Sequence, residues 1–525
     1  MHCHMLSVKL IGIIILFLNA SVSSVSCANI LITEDLASPS HQIWNYAIAD
    51  ALVARGHNVT VIGPKTISLE NKKFHFIHLE GLIEAISGSG LLLPEALSHL
   101  SALGNFKLYN AVSLLSCNHT VHTKGLQRLL NYPADFKFDL IILDLTISPC
   151  LLPLIERFKT PPAIVISALI LPPFLSEIFG NSFPVSYVPY IMLKNSAKMD
   201  FLERLHNFIF SKIDLYWKAY YLYPVMEQMS KTVFGENMQS LDALGKKATF
   251  LLCNLSPGFH YSQQLTPNII PVGGLHIDPK KKLPQDFQDI MDTAKDGVIL
   301  FSLGTNVKSN EMSLEKKNSI LKAFSKMKET VLWKFESDLT NLPKNVIIRK
   351  WIPQNEILAH PNLKLFITHG GGLSTIEAAY YGVPMVGIPF FADQYFNMEL
   401  VETREIGITM SYDTLTTESL VEAVNKVLTN PSKYLKNARR ISSLMRDQPQ
   451  TSMERALFWI EFAIRNNGTN IYDPQSRHIS GLISSSFDIY LFLLLILCAF
   501  SYSVLKVVSV FCRPVNRKQN KIKKN

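Results

Sequence analysis

From residue 29 onward, short apolar runs alternate with amphipathic stretches. "NILIT" reads as a buried strand, "EDLASPS" as a loop, and residues 41–55 as a helix. Trp44, Ala47, Ile48, Ala51 and Leu52 recur there at helical spacing. Ser40 is the expected N-cap and Gly56 the left-handed C-cap. "NVTVIG" is the next strand. Strand, helix and strand in this order begin a doubly wound parallel sheet. "FDLIILD", ending at Asp144, "AIVIS" at 163–167 and "ATFLLCN" at 248–254 add further buried strands.

Residues 172–223 break the pattern with irregular, aromatic-rich text. They read as a mixture of packed helices, the wall of an apolar pocket and a membrane-facing patch. Residues 266–285, rich in Pro, Gly and Lys, read as a linker. A second α/β series follows. "GVILFSLG", "TVLWKF", "VIIRKWI", "LKLFITH" and "VPMVGIP" are strands, and helices include one opening at Ser313. The expected domains are therefore 29–265 and 286–470.

The two ends carry apolar segments of another kind. Lys9, then "LIGIIILFL", then "SVSSVSCA" form a signal-peptide pattern over residues 1–28, too short for a span. Residues 488–511 are long and apolar enough to cross a bilayer as a helix. The tail 512–525 carries Arg513, Arg517, Lys518, Lys521, Lys523 and Lys524 with no acid, which keeps it cytosolic. The expected topology is single-pass type I with a lumenal body. "KIKKN" resembles the KxKxx retrieval signal of endoplasmic reticulum membrane proteins, and it also reads as an ordinary basic stop-transfer tail. The net charge of +9 owes much to this tail, which argues against nucleic acid as a partner. Cys117, Cys150 and Cys253 allow at most one disulfide among themselves. Sequons stand at Asn58, Asn118, Asn254 and Asn467, with Asn58 the poorest acceptor because it sits inside the strand-like "NVTVIG".

The chemistry concentrates in "ITHGGGLSTIEAAYYGVP", residues 367–384. Three glycines follow His369 where a helix begins. Backbone N–H groups at a helix start attract an anion, so the turn suits a phosphate. It is neither GxGxxG nor GxxxxGK[ST], which argues against a nicotinamide or P-loop site.

With "RKWIPQNEILAHPNLKLFITHGGG" before it and "GVPMVGIPFFADQYFN" after it, the stretch resembles the nucleotide-sugar signature of the UDP-glycosyltransferases, a family that includes the UDP-glucuronosyltransferases. "GVILFSLGT" and "SPSHQIWNYAIADALVARGHNVTV" match that family too, so the resemblance covers essentially the whole chain. It implies a GT-B fold of two facing Rossmann-like domains, with the acceptor bound by the first and the UDP-sugar by the second. By position, Trp351 would stack on uracil, Gln354 would bond the uracil or ribose, and Glu377 would take the ribose hydroxyls. His369, Gly371 and Ser374, with Ser302 and Thr305, would hold the diphosphate. Asp393 and Gln394 would bind sugar hydroxyls. Taken singly, Trp351 fits a core position and Glu377 a solvated one.

His41, after the first strand, matches the family's catalytic base, and Asp144 its acidic partner. Together they imply an inverting transfer that yields a β-glycoside and UDP. Singly, His41 fits a solvated helix start and Asp144 a turn cap. The presence of both argues against a non-catalytic sugar-nucleotide or lipophile-binding protein. The sequence has no DxD and no metal-spaced His/Cys set, so no metal or other cofactor is expected. The expected partners are a UDP-sugar, a small lipophilic acceptor and the membrane, with homo- and hetero-oligomers both left open. Gln263 stands where many members carry Arg, Leu373 where Asn is common, and "ADQYFN" lacks the PDN of glucuronate users. These departures point to UDP-glucose.

Overall fold

The computed structural model describes residues 27–70, 72–87, 93–196 and 198–511. Most of the expected signal segment and all of the basic tail, with its KxKxx end, lie outside the described residues.

The first sheet has seven strands: β1 (Asn29–Thr33), β2 (Asn58–Gly63), β3 (His75–His78), β4 (Leu140–Asp144), β5 (Ala163–Ser167), β6 (Phe250–Cys253) and β7 (Ile269–Pro271). Their order is β3-β2-β1-β4-β5-β6-β7, every pair parallel. The second sheet orders β10 (Val346–Arg349), β9 (Thr330–Lys334), β8 (Val298–Ser302), β11 (Leu363–Thr368), β12 (Met385–Gly387) and β13 (Gly407–Thr409), again all parallel. Parallel strands are covered on both faces, which is why β4 and β8 are buried throughout and read as unbroken apolar runs.

In each sheet the chain leaves the first strand in one direction and later returns to build in the other. The reversal falls between β1 and β4 in one sheet and between β8 and β11 in the other. A crevice opens beyond the strand ends at such a point. His41 follows β1, Asp144 ends β4, Ser302 ends β8 and His369 follows β11. Topology alone therefore directs all four toward the two crevices.

Helix α1 (Pro39–Ala54) begins two residues earlier than expected, with Ser38 rather than Ser40 at the N-cap. Pro39 explains this, because proline's fixed φ and missing N–H suit the first helical position. Helix α2 (Ala102–Val121) carries Cys117, joined to Cys150 in a disulfide beneath the first sheet, while Cys253 stays free and buried in β6. The aromatic-rich stretch becomes α3 (Phe201–Trp217), a π-helical turn (Lys218–Leu222) and α4 (Tyr223–Phe234).

In the second half, α5 (Gly372–Tyr381) and α6 (Gln394–Thr403) follow β11 and β12. Part of the stretch read as a linker, 266–285, is strand β7, three residues bonded to β6. Strands β3 and β13 were also unexpected, and elements of three or four residues are too short to show a period. Helix α7 (Ser452–Arg465) returns to the first sheet, where Ala456, Leu457, Ile460 and Ala463 join its core. Burying Leu457 and Ile460 stabilises that return by about 1.5–3 kcal/mol each.

Both sheets belong to one compact body that ends at Asp473. Residues 474–525 form a second unit containing α8 (Phe487–Phe511). At about 1.5 Å per residue, α8 is long enough for the roughly 30 Å hydrocarbon core of a bilayer.

Candidate active site

A cavity of about 400 Å³ opens at the two crevices. Of the residues singled out in the sequence, His41, Ser302, Thr305, Trp351, Gln354, His369, Gly371, Ser374, Glu377, Asp393 and Gln394 all line it. Asp144 stands behind His41 rather than in the wall.

On the first wall, α1 places His41 in its opening turn, almost buried. Its Nδ1 lies 4.0 Å from Asp144 Oδ2 and has no hydrogen-bond partner among the described residues. Asn45, one helical turn on, donates to that oxygen at 2.9 Å, and the Thr146 N–H donates to Oδ1 at 2.8 Å. Burial lowers the His41 pKa and the Asp144 charge partly restores it, so the imidazole is neutral at neutral pH. Glu34 and Asp35, at the end of β1, are buried beside this pair. Burial, then the Asp144 charge, holds Glu34 well above the usual carboxylate range. Burial pushes Asp35 up to about 8. Asp35 is therefore protonated at neutral pH, and Glu34 is shifted in the same direction.

The second wall explains its glycines. The His369 ring lies between two turns, and a Cβ on Gly304 would come within 2.3 Å of its Cε1. A Cβ on Gly371 would come within 2.4 Å of its Nε2. Gly371 thus makes room for the imidazole, a packing reason for glycine beside the close backbone approach read from the sequence. Burial, then the Lys334 charge, lowers His369 to about 3, so it is a neutral donor. Gly371 is also the N-cap of α5 and provides no capping side chain; the Gly372 N–H donates to the Asp393 carboxylate, and this opening turn lines the cavity.

Glu377 is held from three sides. Its Oε1 accepts from His276 Nε2 at 2.8 Å and Asn355 Nδ2 at 3.1 Å, and its Oε2 accepts from Gln354 Nε2 at 2.5 Å. Gln354 also donates to Ser374 Oγ at 3.1 Å. Trp351 presents an exposed ring, 54% accessible, at the rim. Burial pushes Asp393 up to about 6, and its Oδ2 accepts from Asn397 at 2.8 Å. The Gln394 side-chain oxygen is taken by the Phe390 and Phe391 N–H groups, at 2.8 and 3.3 Å, leaving its amide nitrogen as the available end. Contacts that cross between the two halves include Ser38 Oγ with the Asn306 amide at 3.2 Å, the Ala392 N–H donating to Asn105 Oδ1 at 3.1 Å, and Glu95 Oε1 accepting from the Ser313 N–H at 2.6 Å and the Tyr412 hydroxyl at 2.8 Å.

The family model for UDP-glucoronosyl and UDP-glucosyl transferases matches residues 31–522. The chain belongs to that family. This UDP-glycosyltransferase is 32% identical to UDP-glucuronosyltransferase 2B33 of Macaca mulatta, over 97% of both chains. It is 30% identical to UDP-glucosyltransferase 2 of Dactylopius coccus, over 93% of this chain and 95% of that one. Among solved structures it resembles the glycosyltransferase VinC in complex with DTDP, with TM-score 0.57 and 15% identity, over 83% of this chain and 100% of that one. The spinosyn forosaminyltransferase SpnP aligns with TM-score 0.55 and 16% identity, over 84% and 100%. The fold is GT-B.

In this UDP-glycosyltransferase the structure also brings in residues that the sequence did not single out. Asn45 was discoverable one helical turn after His41, and Glu34 and Asp35 as acids at a strand end in the crevice. His276 was hidden inside the stretch read as linker. Gln263 is not among the cavity-lining residues, so the charge argument made from it lacks a geometric footing. Leu373, read as a lost polar contact, packs against the first sheet's core.

Proposed function

We propose that the enzyme transfers glucose from UDP-glucose to a hydroxyl of a small lipophilic acceptor, with inversion, giving a β-glycoside and UDP. The observation that carries this reading is His41, backed by the Asp144 carboxylate, in the wall opposite the opening turn of α5. His41 Nδ1 faces Asp144, which leaves Nε2 for the acceptor. Nε2 takes the hydroxyl proton as the acceptor oxygen bonds to the anomeric carbon. The bond from that carbon to the phosphate oxygen breaks, and UDP leaves with the electron pair. Asp144 stabilises the imidazolium. The α5 amides, His369, Ser302, Thr305 and Ser374 meet the charge developing on the diphosphate. Trp351 stacks on uracil, Gln354 and Glu377 hold the base and ribose, and Asp393 and Gln394 take the sugar hydroxyls. These donors meet the leaving-group charge without a metal in the scheme.

Asp393 favours glucose. A carboxylate on the sugar would meet that acid, and both lysines among the described lining residues are already paired, Lys281 with Glu356 at 2.5 Å and Lys334 with Glu336 at 2.8 Å. The second reading, UDP-glucuronate, is favoured by the name of the Macaca mulatta relative. Equimolar competition of the two donors with a phenolic acceptor tests the choice. Predominant glucoside supports the proposal, and predominant glucuronide overturns it. We place the enzyme as a single-pass protein of the endoplasmic reticulum with a lumenal body. Helix α8 and the disulfide, at home in an oxidising compartment, support this.

A further inference from the structure

Helix α3 is inside out. Its inward positions are polar: Asn207, Ser211, Asp214 and, in the π-helical turn, Lys218 are all buried. Asn207 accepts from the Tyr190 N–H at 2.7 Å and donates to the Val185 and Val188 carbonyls at 2.7 and 2.9 Å. Lys218 pairs with Asp214. The outward face carries Phe201, Leu205, Phe208, Ile209 and Ile213, all exposed, and at its C-terminal end the exposed aromatics Tyr216, Trp217, Tyr220 and Tyr221. A helix on a water-facing surface shows the reverse, as α7 does with its buried Ala456, Leu457 and Ile460. Burying polar side chains while turning Phe, Leu and Ile outward is stable only where the outside is apolar.

We propose that this face of α3 and the π-helical turn rests in the interfacial layer of the membrane that α8 spans. The proposal builds on the single-span reading of α8. The occupant follows from three observations. First, residues 474–486 connect the body to α8, and even fully extended they reach only about 45 Å, so the bilayer is never far from the body. Second, aliphatic and Phe side chains fill one end of the stripe and Tyr and Trp the other, which matches a surface that grades from acyl chain to headgroup. Third, Lys212 lies with its Nζ 6.0 Å from the Phe208 ring centre, a charge on a stem long enough to return to water. The inner face of the same segment touches the cleft wall. Lys218 Nζ lies 5.1 Å from the ring centre of Tyr109, and Tyr109 lines the cavity. The acceptor half of the enzyme therefore sits where lipophilic acceptors are dissolved.

The test uses the full chain in phosphatidylcholine vesicles, body outward, with a protease site placed between residues 474 and 486. The uncut chain should sediment with the vesicles. After cutting, the wild-type body should still sediment in about 1 M salt, because the contact is apolar rather than ionic. Phe208→Glu with Tyr220→Glu should lower the bound-to-free ratio about tenfold or more. UDP-induced thermal shift checks that this variant is folded. Independently, brominated phosphatidylcholine should quench part of the tryptophan emission of the unaltered chain, and Trp217→Phe should abolish that part. Release of the cut wild-type body as a monomer overturns the docking and leaves the span intact. Release as a dimer reassigns the face to a second copy. Failure of the uncut chain to sediment overturns the span, and the docking with it.

Discussion

Asn45 occupies the Asp144 oxygen that His41 faces: Asn45 Nδ2 lies 2.9 Å from Oδ2, and His41 Nδ1 stands off at 4.0 Å. The carboxylate therefore acts on the imidazole through its field more than through a hydrogen bond. Because burial lowers the His41 pKa, the base form persists through neutrality, and the acid limb of kcat/KM should fall below the ordinary histidine value of about 6.5. Asp144→Asn removes the influence that raises this pKa, so the limb should move to still lower pH while kcat drops about 10²–10⁴-fold. His41→Ala should abolish transfer to an unactivated alcohol and leave UDP affinity unchanged. pH–rate profiles and UDP titration check all three. An acid limb that stays in place in Asp144→Asn would break the link between the two residues.

His276 fixes the Glu377 carboxylate at 2.8 Å from within the stretch that joins the two halves. His276→Ala should raise the donor KM roughly tenfold with little change in kcat, because one buried hydrogen bond to a charged group is lost. Initial-rate kinetics against donor concentration separate this from general damage, which would lower kcat as well.

Donor choice should depend on pH through Asp393. Its pKa is raised to about 6, so the side chain is anionic above that pH and neutral below it. Discrimination against UDP-glucuronate should narrow as pH falls through 6, and Asp393→Asn should narrow it at every pH. Constant discrimination across that range would remove Asp393 from the explanation.

The Cys117–Cys150 bridge closes a loop with a sequence separation of 33. By chain entropy it contributes about 3–4 kcal/mol. Replacing both cysteines with serine should lower the melting temperature by several degrees in calorimetry. Burial pushes the Cys253 thiol up to about 12, so it should resist maleimide until the protein unfolds.

Glycan occupancy should follow exposure. Asn118, Asn467 and Asn58 are exposed, whereas Asn254 is buried, donating to the Ala168 carbonyl at 2.9 Å and accepting from the Gly274 N–H at 3.0 Å. Asn254→Gln should leave the glycosylated mass unchanged and reduce stability. Asn58 lies in a strand, yet its side chain at the first strand residue is exposed.

The two sheets were legible because parallel strands are covered on both faces and so read as apolar runs. The cavity residues were legible because reversal of strand order gathers segments that themselves carry the motif. Contacts across long sequence separations were not legible. His276 meets Glu377 101 residues away, and α7 leaves the second half to complete the first core. Neither leaves a local period. Gly371 lines the cavity, and only coordinates reveal the His369 ring packed beside it.

The return of α7 has a mechanical result. Ser452 Oγ donates to the Gly273 carbonyl at 2.8 Å and Arg455 Nη1 to the Pro271 carbonyl at 3.1 Å, so the outward and homeward passages of the chain are fastened together. Two joints set far apart would act as a door hinge with a single axis. Two joints tied at one place act as a swivel, about which the halves can both gape and twist. Ser38 with Asn306, Asn105 with Ala392, and Glu95 with Ser313 and Tyr412 then serve as latches that water can replace one at a time. A nucleotide sugar can enter and UDP can leave through a gap opened at the latches while the swivel keeps the two halves in register.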